Sequence, residues 1–399
     1  MWWSIAALAA GPGPNLVLIS LDTVRADALS CYSTASGPFH GPAETTPVID
    51  ALARDGVRFA SFFAHAPSTL SSHASMMTGL DPHGHAVVRN GFALEGSHPT
   101  LAERLGAAGY DPIAIVGSAA LEASMGLDRG FRVYDDSVHK IAMPGVPDAA
   151  AATVPATEYQ ATAEEVVART FTAVDARPDP AAPLFLFAHF YDAHAPYAPP
   201  PAFDQHGDPG YAGGARADGP SFRALSAATR KGQAATADLE EIASLYLGEV
   251  SYVDHQVGVL LDGLRSRGLL DRALVVVVAD HGETLADDPV YAWSHGSNVG
   301  WEVMHVPLVM RGYGIGLAER AVVRRQAGMS GLAPTLEALL GLEPSLGDGL
   351  PFAEFARAGP ARDDDRWPER PSIPVFVEAT RPRQAEVERG WNNRRMHRG

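Results

Sequence analysis

Two apolar runs, each stopping at an acidic residue, set the frame for this chain. After the breaker Gly11-Pro12-Gly13-Pro14, the stretch Asn15-Leu16-Val17-Leu18-Ile19-Ser20-Leu21 is nearly continuous in apolar residues and ends at Asp22; Leu274 to Ala279 is more apolar still and ends at Asp280. A strand that is apolar on both faces has to be covered on both faces, which is the condition of a buried parallel strand. Further strands are predicted at Val57 to Phe63, Pro112 to Val116, Leu184 to Ala188 and Val306 to Met310, with helices at Thr157 to Ala176, Asp238 to Arg267 and Leu332 to Leu340. Thr46-Pro47 reads as a cap followed by proline at the first position of another helix, which stops at Gly56. This βαβα alternation predicts an α/β fold with a mostly parallel central sheet sandwiched by helices. No internal repeat is found.

A chain of 399 residues is long enough for two to three domains, or for one large α/β domain with an appendage. Its 46% hydrophobic and 20% charged residues can build a large core. The charge balance is 31 − 47 = −16, so no basic excess exists to displace counterions and no nucleic-acid partner is expected. The single cysteine, Cys31, rules out an internal disulfide and a cysteine zinc cluster, and leaves the compartment open. The 15 histidines are more informative. Residues 1–14 read as an apolar and Gly-Pro tail, too short to span a bilayer, so membrane association is expected only through an N-terminal anchor missing from this sequence. Residues 195–237, rich in Pro, Gly, Ala and Ser, read as a lid or insertion. Residues 346–399 read as a reduced C-terminal subdomain and tail with one strand, Ile373 to Val377.

Polar clusters follow three of the predicted strands, at the strand ends where open parallel sheets place their ligands. They are Asp22-Thr23-Val24-Arg25-Ala26-Asp27, His189-Phe190-Tyr191-Asp192-Ala193-His194 and Asp280-His281-Gly282-Glu283. Aspartate and neutral histidine are ligands for hard and borderline divalent ions, so Asp22, Asp280 and His281 form a candidate metal site. The segment Pro67 to Gly79 reads as a loop entering a helix, with Thr69 just before the helix start and Gly79 past its end. Amides at such a terminus favour a phosphate or sulfate group. Capping of the helix by Ser71 or Ser72 is the plainer structural role for the same hydroxyls.

Taken in order, these pieces resemble the sulfatase family of the alkaline phosphatase superfamily. Leu21 to Asp27 is similar to its first metal motif, and Thr69 to Gly79 lines up with its nucleophile signature, Cys/Ser/Thr-x-Pro-Ser-Arg/His followed by Thr-Gly. Gly126-Leu127-Asp128-Arg129-Gly130-Phe131, Asp192 to Tyr197, Asp280 to Glu283, His295-Gly296, Trp301-Glu302 and Val306-Pro307-Leu308 fall in register; the matches run from Asn15 through Gly347-Asp348-Gly349, and residues 15–345 are the expected catalytic domain. The resemblance implies an alkaline phosphatase-like fold and a divalent ion (Zn, Mn, Mg or Ca) held by Asp22, Asp280, His281 and the nucleophile Thr69. It also implies that His194 and His295 face the anionic group as donors, as an acid for the leaving oxygen, or as ligands of a second metal together with Asp192. His73 and His189 are weaker members of the set.

The departures point to the chemistry. Formylglycine, the sulfatase nucleophile, is made from Cys or Ser and not from Thr. The signature's Pro is Ser71 here and its Arg is His73, while the family's Gly-Lys-Trp-His stretch is Gly117-Ser118-Ala119-Ala120. These changes remove positive charge from the anion pocket and resemble the Thr-nucleophile branch. The expected activity is hydrolysis of a small anionic ester, phosphate ahead of sulfate, through a covalent Thr intermediate. The alternatives are a phosphoethanolamine or glycerophosphate transferase and a degraded, sulfatase-like binding protein. A periplasmic or extracellular location is expected over a cytoplasmic one, and the oligomeric state is left open.

Overall fold

The computed structural model describes residues 13–33, 45–140, 159–217, 219–288, 290–357 and 375–379. Among the described residues, eight strands form the central sheet: β1 (Asn15–Leu21), β2 (Val57–Phe59), β3 (Asp111–Val116), β4 (Val133–Asp135), β5 (Leu184–Phe190), β6 (Ala273–Ala279), β7 (Leu308–Tyr313) and β8 (Ala321–Val323). Their spatial order is β8-β2-β7-β6-β1-β5-β3-β4. Only β7 runs against its neighbours; it pairs antiparallel with β6 and β2, and every other pair is parallel. The α/β architecture expected from the apolar runs is the one found.

Every residue of β5 and β6 is buried, as is all of β1 after Asn15, because helices cover both faces of the sheet. α1 (Pro47–Asp55), α4 (Ala163–Asp175) and the long α6 (Thr236–Ser266) pack together over one face, and α2 (Thr69–Thr78), α3 (Leu101–Ala107) and α7 (Leu332–Leu339) lie together on the other. Local signals set the helix starts. Thr162 and Glu165 form a reciprocal capping box on α4, satisfying two amides that the helix itself cannot. The first turn of α1 carries proline and no side-chain cap of its own; Asp254 of α6 instead accepts from the Val48 and Ile49 amides at 3.0 and 2.8 Å. α2 ends at Gly79, whose φ of +73° and close approach to the Leu346 carbonyl leave no room for a side chain.

Several expected boundaries shift. The strand predicted from Val57 to Phe63 breaks after Phe59 and resumes as a two-residue strand, Phe62–Phe63. The helix predicted from Thr157 begins at Ala163, where the capping box stops it extending further. Residues 195–237 hold α5 (Gly219–Arg230) and the start of α6 as well as loop. Val375 to Val377 are not in a strand; Glu378 N instead donates to the His65 carbonyl at 2.9 Å. The predicted strand's first two residues, the tail at 1–12 and most of 346–399 lie outside the described residues. Among the described residues no helix is long and apolar enough to cross a membrane.

Candidate functional site

The carboxyl ends of β6, β1 and β5 lie side by side, because β1 pairs with both neighbours along its length. That adjacency brings Asp22, Asp280 and His281, distant in sequence, to one point: one ligand atom from each lies within 4.8 Å of the other two, and all three residues are fully buried. Asp22 Oδ1, Asp280 Oδ2 and His281 Nε2 have no hydrogen-bond partner. His281 Nδ1 donates to the Gly282 carbonyl at 2.9 Å, so Nε2 keeps a lone pair in the neutral ring. Two buried carboxylate oxygens and an imidazole nitrogen, converging and without hydrogen-bond partners although Asp280 Oδ2 lies 3.5 Å from His281 Nε2, are a donor set that a divalent cation satisfies. Burial, and then the charge of Asp22, raises the pKa of Asp280; burial likewise raises Asp22. Burial opposes charging His281, but the Asp280 and Asp22 carboxylates outweigh it and raise the ring's pKa.

Neighbouring groups aim these side chains. Asp280 Oδ1 accepts from the amides of Thr23 and His281 at 3.2 and 2.8 Å, which leaves Oδ2 turned to the centre. Thr23 reaches that amide geometry at a φ of +55°, a conformation that a β-branched residue holds only under constraint. The constraint is Tyr246 of α6, whose hydroxyl donates to the Thr23 carbonyl and accepts from the Arg25 amide, both at 3.0 Å. On the far side of Asp22, His189 Nε2 donates to Oδ2 at 3.2 Å while its Nδ1 faces the Gly117 amide at 3.4 Å. Burial lowers the His189 pKa to about 4, keeping the ring neutral.

Thr69 is the first residue of α2, with Ser68 as the residue before the helix; it therefore lies inside the helix rather than ahead of it. Its side chain reaches Asp22, a contact that favours the ionised carboxylate. Asn90 Oδ1 takes the Leu70 amide at 2.8 Å. Neither Ser71 nor Ser72 caps the helix: Ser71 Oγ donates to the Val87 carbonyl, and Ser72 Oγ donates to the Asp280 carbonyl at 2.6 Å. His73 sits beneath the turn. Its Nδ1 donates to the Thr69 carbonyl at 2.7 Å and its Nε2 accepts from Ser20 Oγ at 2.8 Å, while burial lowers its pKa to about 4. With both nitrogens engaged, His73 positions the helix start.

On the open side, the His295 ring centroid is 4.6 Å from His281 and 5.0 Å from His194. His295 Nδ1 lies 2.9 Å from Glu283 Oε2, and burial raises the pKa of Glu283 to about 7. His194 stacks on Tyr191 at 4.4 Å and donates from Nδ1 to the Ala195 carbonyl at 2.6 Å; burial, reinforced by His295, lowers its pKa to about 4. Asp192 Oδ1 accepts from the Ala163 amide at 3.0 Å, while its Oδ2 is buried without a hydrogen-bond partner. Glu283 is the residue that the sequence left without a role: it stands in the quoted Asp-His-Gly-Glu motif, but its partner His295 meets it only because the two flank one short antiparallel strand pair, Thr284–Leu285 with Trp293–Ser294. Tyr246 carries no sequence signal, being one polar atom in a long helix.

A family profile described as Sulfatase matches residues 14–342. The chain belongs to the sulfatase family. Members of that family and of the alkaline phosphatase superfamily are metal-dependent ester hydrolases. An arylsulfatase of Clostridium perfringens (strain 13, type A) is 25% identical over 318 residues, 69% of this chain and 64% of its own length. The chain thus spans less than two thirds of that relative. A multifunctional alkaline phosphatase superfamily protein, PehA, of Trinickia caryophylli is 25% identical over 412 residues, covering 88% of this chain and 78% of its own. In fold, this sulfatase-family chain is similar to the phosphonate monoester hydrolase of Agrobacterium radiobacter, with a TM-score of 0.68 at 24% identity over 95% of this chain and 83% of that one.

Proposed function

We propose that this chain is a metal-dependent hydrolase of small phosphate or sulfate esters that works through a covalent intermediate on Thr69, with phosphoesters preferred. The observation that carries this reading is the placement of Thr69, at the amino end of α2, against Asp22 in the Asp22–Asp280–His281 centre. Asp22, Asp280, His281 and the Thr69 hydroxyl would hold the ion; when bound, a divalent ion lowers the pKa of a coordinated hydroxyl and offsets charge on the transferred group. Zn, Mn, Mg and Ca all suit such a donor set.

Thr69 Oγ, its proton released to solvent beforehand, attacks phosphorus in line, forming the Thr–O–P bond as the P–O bond to the leaving alcohol breaks, and it leaves again as the alkoxide when water displaces it. His295 donates the proton that the alkoxide needs, with Glu283 holding the ring through Nδ1 and supporting its charge; placed donors of this kind contribute roughly 10²- to 10⁴-fold. Water then attacks the phosphothreonine, and the same pair takes up its proton. His194, held neutral, serves as a hydrogen-bond donor or acceptor to the anion in preference to acting as the acid. Sulfate is the poorer substrate because a threonine sulfate ester has no route to collapse, whereas the formylglycine hydrate expels sulfate by returning to the aldehyde.

The test is turnover of chromogenic phosphate monoester, phosphate diester, phosphonate ester and sulfate ester with each of the four ions, together with intact-mass analysis of trapped protein. Phosphoryl substrates should turn over and label the protein by one phosphoryl group, and Thr69→Ala should keep its metal and lose the label. Sustained sulfate release by wild-type protein with Thr69 unmodified would overturn the phosphoester preference. Purification without metal affinity and without turnover would return the chain to a binding role.

A further inference from the structure

The segment that follows His295 is tied to the centre at both ends. His295 Nδ1 lies 2.9 Å from Glu283 Oε2, and eight residues later the Val303 carbonyl accepts from the Gly282 amide at 2.7 Å. Between these ties stands Asn298, 7% exposed, with Oδ1 and Nδ2 both buried and both without a hydrogen-bond partner. Three residues of chain reach at most about 10 Å, which bounds the distance from the Asn298 Cα to that of His295. A carboxamide brings two donors and one acceptor, and leaving a buried polar group unpaired is a cost that an apolar side chain at the same position would avoid. Such a residue is explained when something absent from the free protein completes its bonds.

The charge of the centre to which this segment is tied limits what that partner is. Asp22, Asp280 and Glu283 are three buried carboxylates, and Arg25, whose Nη1 lies 3.3 Å from the Glu283 carbonyl, is engaged by Asp27 at 2.8 Å and Asp287 at 2.6 Å. A neutral amide donor attracts an anion's oxygen without altering that balance. We propose that Asn298 is a substrate-recognition residue, donating from Nδ2 to a nonbridging oxygen of the bound ester and setting a preference for singly charged esters over doubly charged ones. The preference follows because Asp22 and Asp280 already balance the two charges of a bound divalent ion, so a second negative charge on the substrate would find only an uncharged donor at Asn298. The assignment rests on the ester-hydrolase reading above.

The experiment compares wild-type protein, Asn298→Ala, Asn298→Asp and Asn298→Lys, each loaded with metal. The kinetic substrates are bis-p-nitrophenyl phosphate, with one charge, and p-nitrophenyl phosphate, with two. Asn298→Ala should raise KM for the diester about tenfold or more with kcat within about threefold, the pattern of a lost ground-state contact. Asn298→Lys should shift the ratio of kcat/KM toward the doubly charged monoester by about tenfold. A second arm titrates dimethyl phosphate calorimetrically: the nearly isosteric Asn298→Asp, with its fold verified by circular dichroism, should weaken binding at least about tenfold. If wild-type protein hydrolyses neither substrate, the hydrolase reading fails, and the calorimetric arm still decides on Asn298. Unchanged diester KM and dimethyl phosphate affinity across the variants, within twofold, would overturn the assignment.

Discussion

Asp22 and Asp280 owe their geometry to groups that would not touch the substrate. Each carboxylate spends one oxygen on the protein, Asp22 on His189 and Asp280 on two amides, and each keeps one for the centre. Removing the orienting group should therefore weaken metal binding while sparing the ligands. His189→Ala is expected to lower metal affinity about 10- to 100-fold, measured by competition with a chelating dye, and Asp280→Asn is expected to abolish metal binding and turnover together. Unchanged affinity in His189→Ala would mean that Asp22 is held by its backbone alone. His295→Ala separates two forms of the centre. With one ion it should lower kcat roughly 10²- to 10⁴-fold at unchanged metal content, whereas loss of metal comparable to that in Asp280→Asn would make His295 a ligand of a second ion.

Elements meet at this scale in ways that the sequence carries unevenly. β1, β5 and β6 were legible because burial on both faces leaves an unbroken apolar run, and α1 because proline and a hydroxyl mark its start. The edge strands β4 and β8, three residues each, leave too short a pattern to read. Asp22, Asp280 and His281 were legible because each follows a strand directly, while the Glu283–His295 pair depends on an antiparallel turn that no periodicity reveals. Trans-capping is equally silent: Asp254 serves α1 from α6, some 200 residues later. Its loss in Asp254→Ala should cost about 1–2 kcal/mol in urea denaturation. Burial raises the Asp254 pKa to about 7, above its unfolded value, so between pH 4 and 7 the native state binds the extra proton and this group's contribution to stability falls as pH rises. Asp254→Asn should flatten that slope; an unaltered slope would place the carboxylate's titration elsewhere.

At the scale of the whole molecule, the centre is a concentration of buried charge at the meeting point of three core strands, and its occupancy should register in global stability. In the metal-free protein the folded-state pKa values of Asp22 and Asp280 lie above their ordinary values, chiefly through burial, so stability is lost as pH rises through the window between the two states' pKa values and is not regained above it. His281, raised by the same carboxylates, contributes stability that is present below its unfolded pKa and lost as pH passes its folded one. All three terms weaken the metal-free protein toward alkaline pH. Metal binding acts in the opposite direction, since it requires deprotonated ligands and adds RT ln(1 + [M]/Kd), about 2.7 kcal/mol at a hundredfold excess over Kd. The gap in Tm between chelator-treated and metal-loaded protein should therefore widen steadily from pH 5 to pH 8, and Asp280→Asn should raise the metal-free Tm at pH 8 while closing most of the gap. Scanning calorimetry at fixed free-metal concentration makes the comparison. A gap that stays constant or narrows as pH rises would show that Asp22, Asp280 and His281 do not share one ion.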